Sequence, residues 1–122
     1  MNWDLTSDRP IYAQLLDELK RRIVSGYYQP GEKILPVREL AQEAKVNPNT
    51  MQKALTELER QALVCTVRTT GRYITQDAAL IEEMKKEVAA THVKQYYTEM
   101  KTLGYDKQEM IQRILDYEEG KE

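Results

Sequence analysis

Apolar side chains recur along the first half of the chain at the three- and four-residue steps of a helix, then give way to β-branched stretches. Tyr12, Leu15, Leu16, Leu19 and Ile23 fall on one helical face, with Lys20, Arg21 and Arg22 expected on the outward one. This helix should begin near Pro10, capped by Asp8 or Ser7, and stop at Gly26. Tyr27-Tyr28-Gln29-Pro30-Gly31 reads as a turn, and Glu32 to Leu35 as an extended piece too short to be more than a single strand. A second helix opens at Pro36 and buries Val37, Leu40, Ala41 and Ala44 before Lys45-Val46 breaks the repeat. Asn47 suits an N-cap and Pro48 the first helical position, so a third helix starts there, with Met51, Leu55 and Leu58 as its stripe to about Gln61. Leu63 to Val67 and Arg72 to Thr75, rich in β-branched residues and separated by Thr69-Thr70-Gly71, predict a hairpin.

Beyond Asp77 the helical period returns. Leu80, Met84 and Val88 are spaced by four, Tyr96, Met100 and Leu103 continue the stripe, and Gly104 stops it. Asp106 and Glu109 have capping-box spacing for a last helix whose apolar face is Met110, Ile111, Ile114 and Leu115. Two helices of this kind cannot enclose a core by themselves. These ten side chains are therefore expected to form a dimerisation surface, covered most simply by a second copy of the chain.

The order of elements is that of a mainly α fold with a small β-wing. An N-terminal winged helix-turn-helix at 1–76 is followed by a C-terminal two-helix tail at 77–122. A helix entered through a polar, proline-started turn can lie in the major groove of DNA and point small polar side chains at base edges.

Composition narrows the field. The chain has 122 residues, 41% hydrophobic and 31% charged, as in a folded globular protein rather than a disordered one. No apolar run nears the ~20 residues that a bilayer requires, and Met1-Asn2-Trp3-Asp4 lacks the features of a signal peptide, so a cytoplasmic location and no membrane partner are expected. The net charge of -2 hides an asymmetry: residues 1–75 hold 11 Lys+Arg against 9 Asp+Glu, whereas residues 76–122 hold 7 against 11. The mildly basic part is the one that carries the wing.

The run from Pro30 to Ala41 (PGEKILPVRELA), with Val46-Asn47-Pro48-Asn49-Thr50 and Ala54-Leu55-Thr56-Glu57-Leu58-Glu59, resembles the DNA-binding domain of GntR-family transcriptional regulators. The Asn-Pro-Asn-Thr turn and short helical tail resemble the YtrA subfamily. The resemblance implies a homodimeric regulator, a repressor in the first instance, that binds a palindromic double-stranded operator. It implies DNA contacts by Arg38 at the start of the second helix and by Asn47, Asn49, Thr50, Gln52 and Lys53 in the reading helix. Side-chain chemistry agrees, since Asn and Gln pair with adenine, Thr meets a thymine methyl or a phosphate, and Lys binds phosphate or guanine.

The chain departs from the family pattern at two places. Pro48 and Gln52 stand where arginine or lysine is frequent, which implies amide-based readout, and Thr69 replaces the first wing glycine, leaving Gly71 and Tyr73 in register. Around that tip Arg68, Thr70, Gly71 and Arg72 are the candidate contacts to phosphate or the minor groove.

Other uses of the same residues stay open. Arg38 can instead pair with Glu39 or Glu43 on its own helix. The winged helix can serve as a protein-interaction module, or the tail as a sensor with an unknown small-molecule effector held by Tyr96, Tyr97, Met100 and Met84. His92 has no second ligand at metal spacing, Cys65 is expected as a small buried side chain, and no phosphate loop or nucleophile elbow is present. No metal, cofactor or enzymatic activity is expected.

Overall fold

In the computed structural model, which describes residues 2–120, five helices and one hairpin follow in order. They are α1 (Ile11–Val24), α2 (Val37–Ala44), α3 (Pro48–Arg60), β1 (Val64–Val67), β2 (Gly71–Ile74), α4 (Ala78–Thr102) and α5 (Lys107–Asp116). The chain divides into two compact units, one up to Lys85 and one from Lys86 onward, and α4 contributes residues to both.

In the first unit α1, α2 and α3 bring their stripes together. Leu15, Leu19 and Ile23 from α1, Leu40, Ala41 and Ala44 from α2, and Met51, Ala54, Leu55 and Leu58 from α3 are all buried. Leu63, Val64 and Ile74 close the core beneath the hairpin. Each fully buried aliphatic side chain contributes about 1.5–3 kcal/mol over its exposed state. From Lys86 on, among the described residues, only Met110 reaches comparable burial. The first unit therefore holds most of the hydrophobic stabilisation.

The wing is an antiparallel pair in the register Val64↔Ile74, Cys65↔Tyr73, Thr66↔Arg72 and Val67↔Gly71. A third segment joins it. Lys33 bridges Tyr73, the Ile34 amide donates to the Arg72 carbonyl at 3.0 Å, and the Ile74 amide donates to the Glu32 carbonyl at 2.9 Å. The extended piece expected at Glu32 to Leu35 thus runs along the outer edge of the wing and ties the entrance of α2 to β2.

Several local expectations require correction. Neither Asp8 nor Ser7 caps α1: the N-cap is Pro10 without a side-chain bond, and Asp8 instead accepts from the Thr6 hydroxyl. The entrance is held by Gln14, whose amide nitrogen donates to the carbonyls of Thr6 and Arg9, both at 2.8 Å. Arg22, expected outside, is 1% exposed. It donates from Nε to Glu18 Oε2 at 3.0 Å and from Nη1 to Tyr28 Oη at 3.0 Å, with its guanidinium 4.1 Å from the centre of the Trp3 ring. A buried arginine is tolerable because charged and aromatic partners replace its water. Cys65, expected as buried, is exposed, because only Val64 of β1 faces the core and the rest of the strand runs out to solvent towards the wing tip.

In the second unit α5 opens on the expected capping box. Asp106 Oδ1 accepts from the Glu109 amide at 2.8 Å, and Glu109 Oε1 accepts from the Asp106 amide at 3.0 Å. Tyr96 Oη donates to the Met110 carbonyl at 2.7 Å. Of the ten residues expected at the dimerisation surface, Met84, in the first unit, and Met110, in the second, are buried within the single chain. Leu80, Val88, Tyr96 and Met100 are half-buried, whereas Leu103, Ile111, Ile114 and Leu115 are exposed.

Candidate nucleic-acid interface

The reading helix is set by its cap. Asn47 Oδ1 accepts from the Asn49 amide at 2.7 Å, and the Thr50 amide donates to the Asn47 carbonyl at 3.0 Å. Pro48 occupies the first turn, where its missing N–H costs nothing. The turn before it is tight. Lys45 takes a left-handed conformation at φ 58°, and the Val46 amide donates back to the Ala41 carbonyl at 2.9 Å, closing α2 with a Schellman-type bond. Burial of Met51, Ala54, Leu55 and Leu58 turns the opposite face of α3 outward. On it Asn49 and Lys53 are exposed, and Thr50 and Gln52 half-buried.

Arg38, Asn47 and Asn49 line one shallow concavity between the start of α2 and the start of α3, together with Pro48 and Gln42. Gln42 was not singled out in the sequence, although it lies one turn beyond Arg38 on the same helical face. Arg38 is exposed and makes no hydrogen bond or ion pair among the described residues. Glu43, its possible partner in α2, is engaged elsewhere, accepting from Arg22 Nη1 at 3.3 Å and from Trp3 Nε1 at 3.1 Å. Lys53 Nζ sits 4.5 Å from the centre of the Tyr12 ring, a contact worth about 0.5–1 kcal/mol at an exposed site. That contact steadies the ammonium beside the first turns of α3.

The wing residues divide into two sets. Arg68 and Thr70 are exposed at the tip, where the Thr70 amide donates to the Val67 carbonyl at 3.1 Å and Thr69 adopts φ 73°. Gly71, at φ 130°, lets the Lys33 side chain pass over the ribbon; a Cβ there would lie 2.9 Å from Lys33 Cε. Arg72, expected to reach outward like Arg68, is turned in against α3. Its Nε donates to Glu59 Oε1 at 2.7 Å and its Nη2 to Gln52 Oε1 at 3.3 Å. Partial burial pushes the Glu59 carboxyl up, but hydrogen bonds from Arg72 and Thr66 and the guanidinium charge outweigh it and leave the group below its usual range.

The arrangement offers hydrogen-bonding amides, hydroxyls and cations on one helix face beside a short ribbon, without a cluster of catalytic groups. Among the described residues no set of three or more His, Cys, Asp or Glu side chains is placed to hold a metal, and no helix is long and apolar enough to cross a membrane.

Residues 11–74 match the profile of the bacterial regulatory proteins of the gntR family. The chain belongs to the GntR family. The matched span includes α1, α2, α3 and the wing. Over 120 residues the chain is 37% identical to the HTH-type transcriptional regulator YhcF of Bacillus subtilis, covering 98% of this chain and 99% of that one. It is 43% identical over 75 residues to the HTH-type transcriptional repressor YtrA of the same organism, covering 62% of this chain and 58% of YtrA. Among solved structures, a GntR family transcriptional regulator from Listeria monocytogenes superposes with a TM-score of 0.86 at 38% identity, covering 93% of this chain and all of that one. The DNA-binding domain of AraR in complex with operator ORE1 superposes with a TM-score of 0.53 at 33% identity, covering 58% of this chain and 89% of that one. The protein is thus a DNA-binding, helix-turn-helix transcriptional regulator, and its relatives are regulators rather than enzymes.

Proposed function

We propose that the protein is a cytoplasmic repressor that binds a palindromic operator as a homodimer, each subunit laying the first turns of α3 in a major groove. The observation that carries this reading is the shared concavity of Arg38, Asn47 and Asn49, with the Arg38 guanidinium uncommitted. In it Arg38 supplies charge to a phosphate or guanine, Asn49, Thr50 and Gln52 address base edges, Lys53 adds a phosphate contact, and Asn47 orients the helix as its cap. Arg68, Thr70 and Gly71 bring the tip of the wing to the backbone of the duplex. The repressor assignment is supported by the name of the relative YtrA, and the DNA partner by the AraR domain solved on its operator.

Dimerisation is supported by Leu103, Ile111, Ile114 and Leu115, large apolar side chains left open to solvent in the second unit. Two-fold symmetry in the protein requires two-fold symmetry in the operator, with half-sites about one helical turn, ~34–36 Å, apart or slightly more. Selection of bound duplexes from a random pool tests the reading. Enrichment of an inverted repeat at that spacing is the expected result. A single asymmetric site refutes the paired arrangement, and no enrichment with salt-insensitive binding favours a protein-interaction module instead.

A further inference from the structure

Arg72 lies on β2, yet its guanidinium is spent on α3. Nε is anchored by Glu59, and Nη2 reaches the amide oxygen of Gln52. Arg72 is paired across the ribbon with Thr66 of β1, and Glu59 anchors it to α3. On its other side the Gln52 amide nitrogen donates to Thr56 Oγ1 at 3.1 Å, one turn further along α3. The Gln52 amide is therefore held at both ends, by the wing and by its own helix.

We propose that Arg72 is a positioning residue for base recognition: it locks the orientation of the Gln52 amide and so makes the protein distinguish A·T from T·A at the base pair that Gln52 faces. This rests on the reading that α3 lies in a major groove. A glutamine amide has nearly the same shape after a half-turn of its terminal torsion, and in water both orientations are populated. A guanidinium only donates, so it accepts the oxygen as neighbour and rejects the NH2 group. With one lone pair given to Arg72 and one N–H given to Thr56, the amide keeps one acceptor and one donor side by side. That pair matches N6 and N7 of adenine. Exchange of the base pair presents the thymine O4 and methyl instead, and guanine sets its O6 against the locked oxygen. A freely turning amide tolerates either order; a locked one does not.

The experiment is random-pool selection with the full chain as wild type, Gln52→Ala, Arg72→Ala and Arg72→Lys, alongside affinity for the best wild-type site at several salt concentrations. Wild type should enrich adenine at one position per half-site, and Gln52→Ala identifies that position by flattening it. Arg72→Ala should lower the preference for A over T there from about tenfold to under about threefold. The other positions and the salt slope should stay unchanged, and Arg72→Lys, whose ammonium also only donates, should restore part of the preference. If Arg72→Ala loosens the wing, Arg72→Gln makes the same comparison, since its amide both donates and accepts and no longer dictates orientation. A uniform loss of affinity with the salt slope reduced by about one would make Arg72 a phosphate ligand and overturn the proposal. A lower melting temperature with an unchanged sequence profile would overturn it as well, leaving Arg72 a brace. Failure of wild type to enrich any sequence removes the regulator reading itself, whereas a sharp wild-type motif that Arg72→Ala leaves intact removes this inference alone.

Discussion

Arg22 on α1 and Glu43 on α2 meet at 3.3 Å, and the same carboxylate oxygen accepts the indole N–H of Trp3 at 3.1 Å. The pair fastens the first helix to the second from below while α2 presents Arg38 to solvent. Its other half is Glu18, whose side chain is almost as buried as that of Arg22. Removing the cation leaves Glu18 with only the half-exposed Arg21 among the described residues to compensate it. Arg22→Ala should therefore cost about 3 kcal/mol in urea unfolding. Glu18→Leu combined with Arg22→Met should recover much of that loss. A loss below about 1 kcal/mol for the single variant would show that water reaches the site and that the network contributes little.

Arg38 provides the complementary case. It is exposed and has no partner among the described residues, so Arg38→Ala should change stability by less than about 0.5 kcal/mol. Operator affinity should nevertheless fall by about tenfold or more, as for loss of a charged contact to base or phosphate. Calorimetric melting paired with a titration of labelled operator checks both halves. Equal affinity for the variant would remove Arg38 from the interface.

How much of this was legible depended on the range of the signal. The stripes of α1, α2 and α3, the Asn47 cap and the Asp106–Glu109 box are local, with every participant within one or two turns, and the sequence alone located them. Periodicity placed Arg22 outside because it weighs a residue by its own polarity. What buries Arg22 is Trp3 and Glu43, 19 residues before and 21 after it, which no helical window contains. Arg72 failed in the same way: its anchor Glu59 is 13 residues upstream on another element, so the wing arginines looked alike until the fold separated them. Of the concavity, Arg38, Asn47 and Asn49 carried motif signals and Gln42 carried only its four-residue offset.

Thr69 holds φ 73° at the wing tip, a conformation that costs a side chain with a branched Cβ about 1 kcal/mol relative to glycine. Thr69→Gly should raise the unfolding free energy by up to about that amount, partly offset by the extra freedom that glycine gives the unfolded chain. Thr69→Val keeps the branch and should bring no gain. A destabilised Thr69→Gly variant would mean that contacts of the threonine side chain outweigh its backbone strain.

Leu103 is 72% exposed, Ile114 59% and Leu115 71% in the single chain, so charge introduced there meets water, not a packed interior. Ile114→Glu with Leu115→Glu should leave the helical signal and the melting of the protomer nearly unchanged. In the dimer the same two carboxylates would be buried without partners on each side, which costs several kcal/mol per interface. Sedimentation at micromolar concentration should then show a dimer for wild type and a monomer for the variant. Because two linked reading heads gain from effective concentration, the variant should also lose at least about a hundredfold in affinity for a two-half-site duplex, while keeping its affinity for an isolated half-site. A variant that sediments as a dimer would place the subunit interface on other residues, and a monomeric wild type would remove the paired operator from the proposed function altogether.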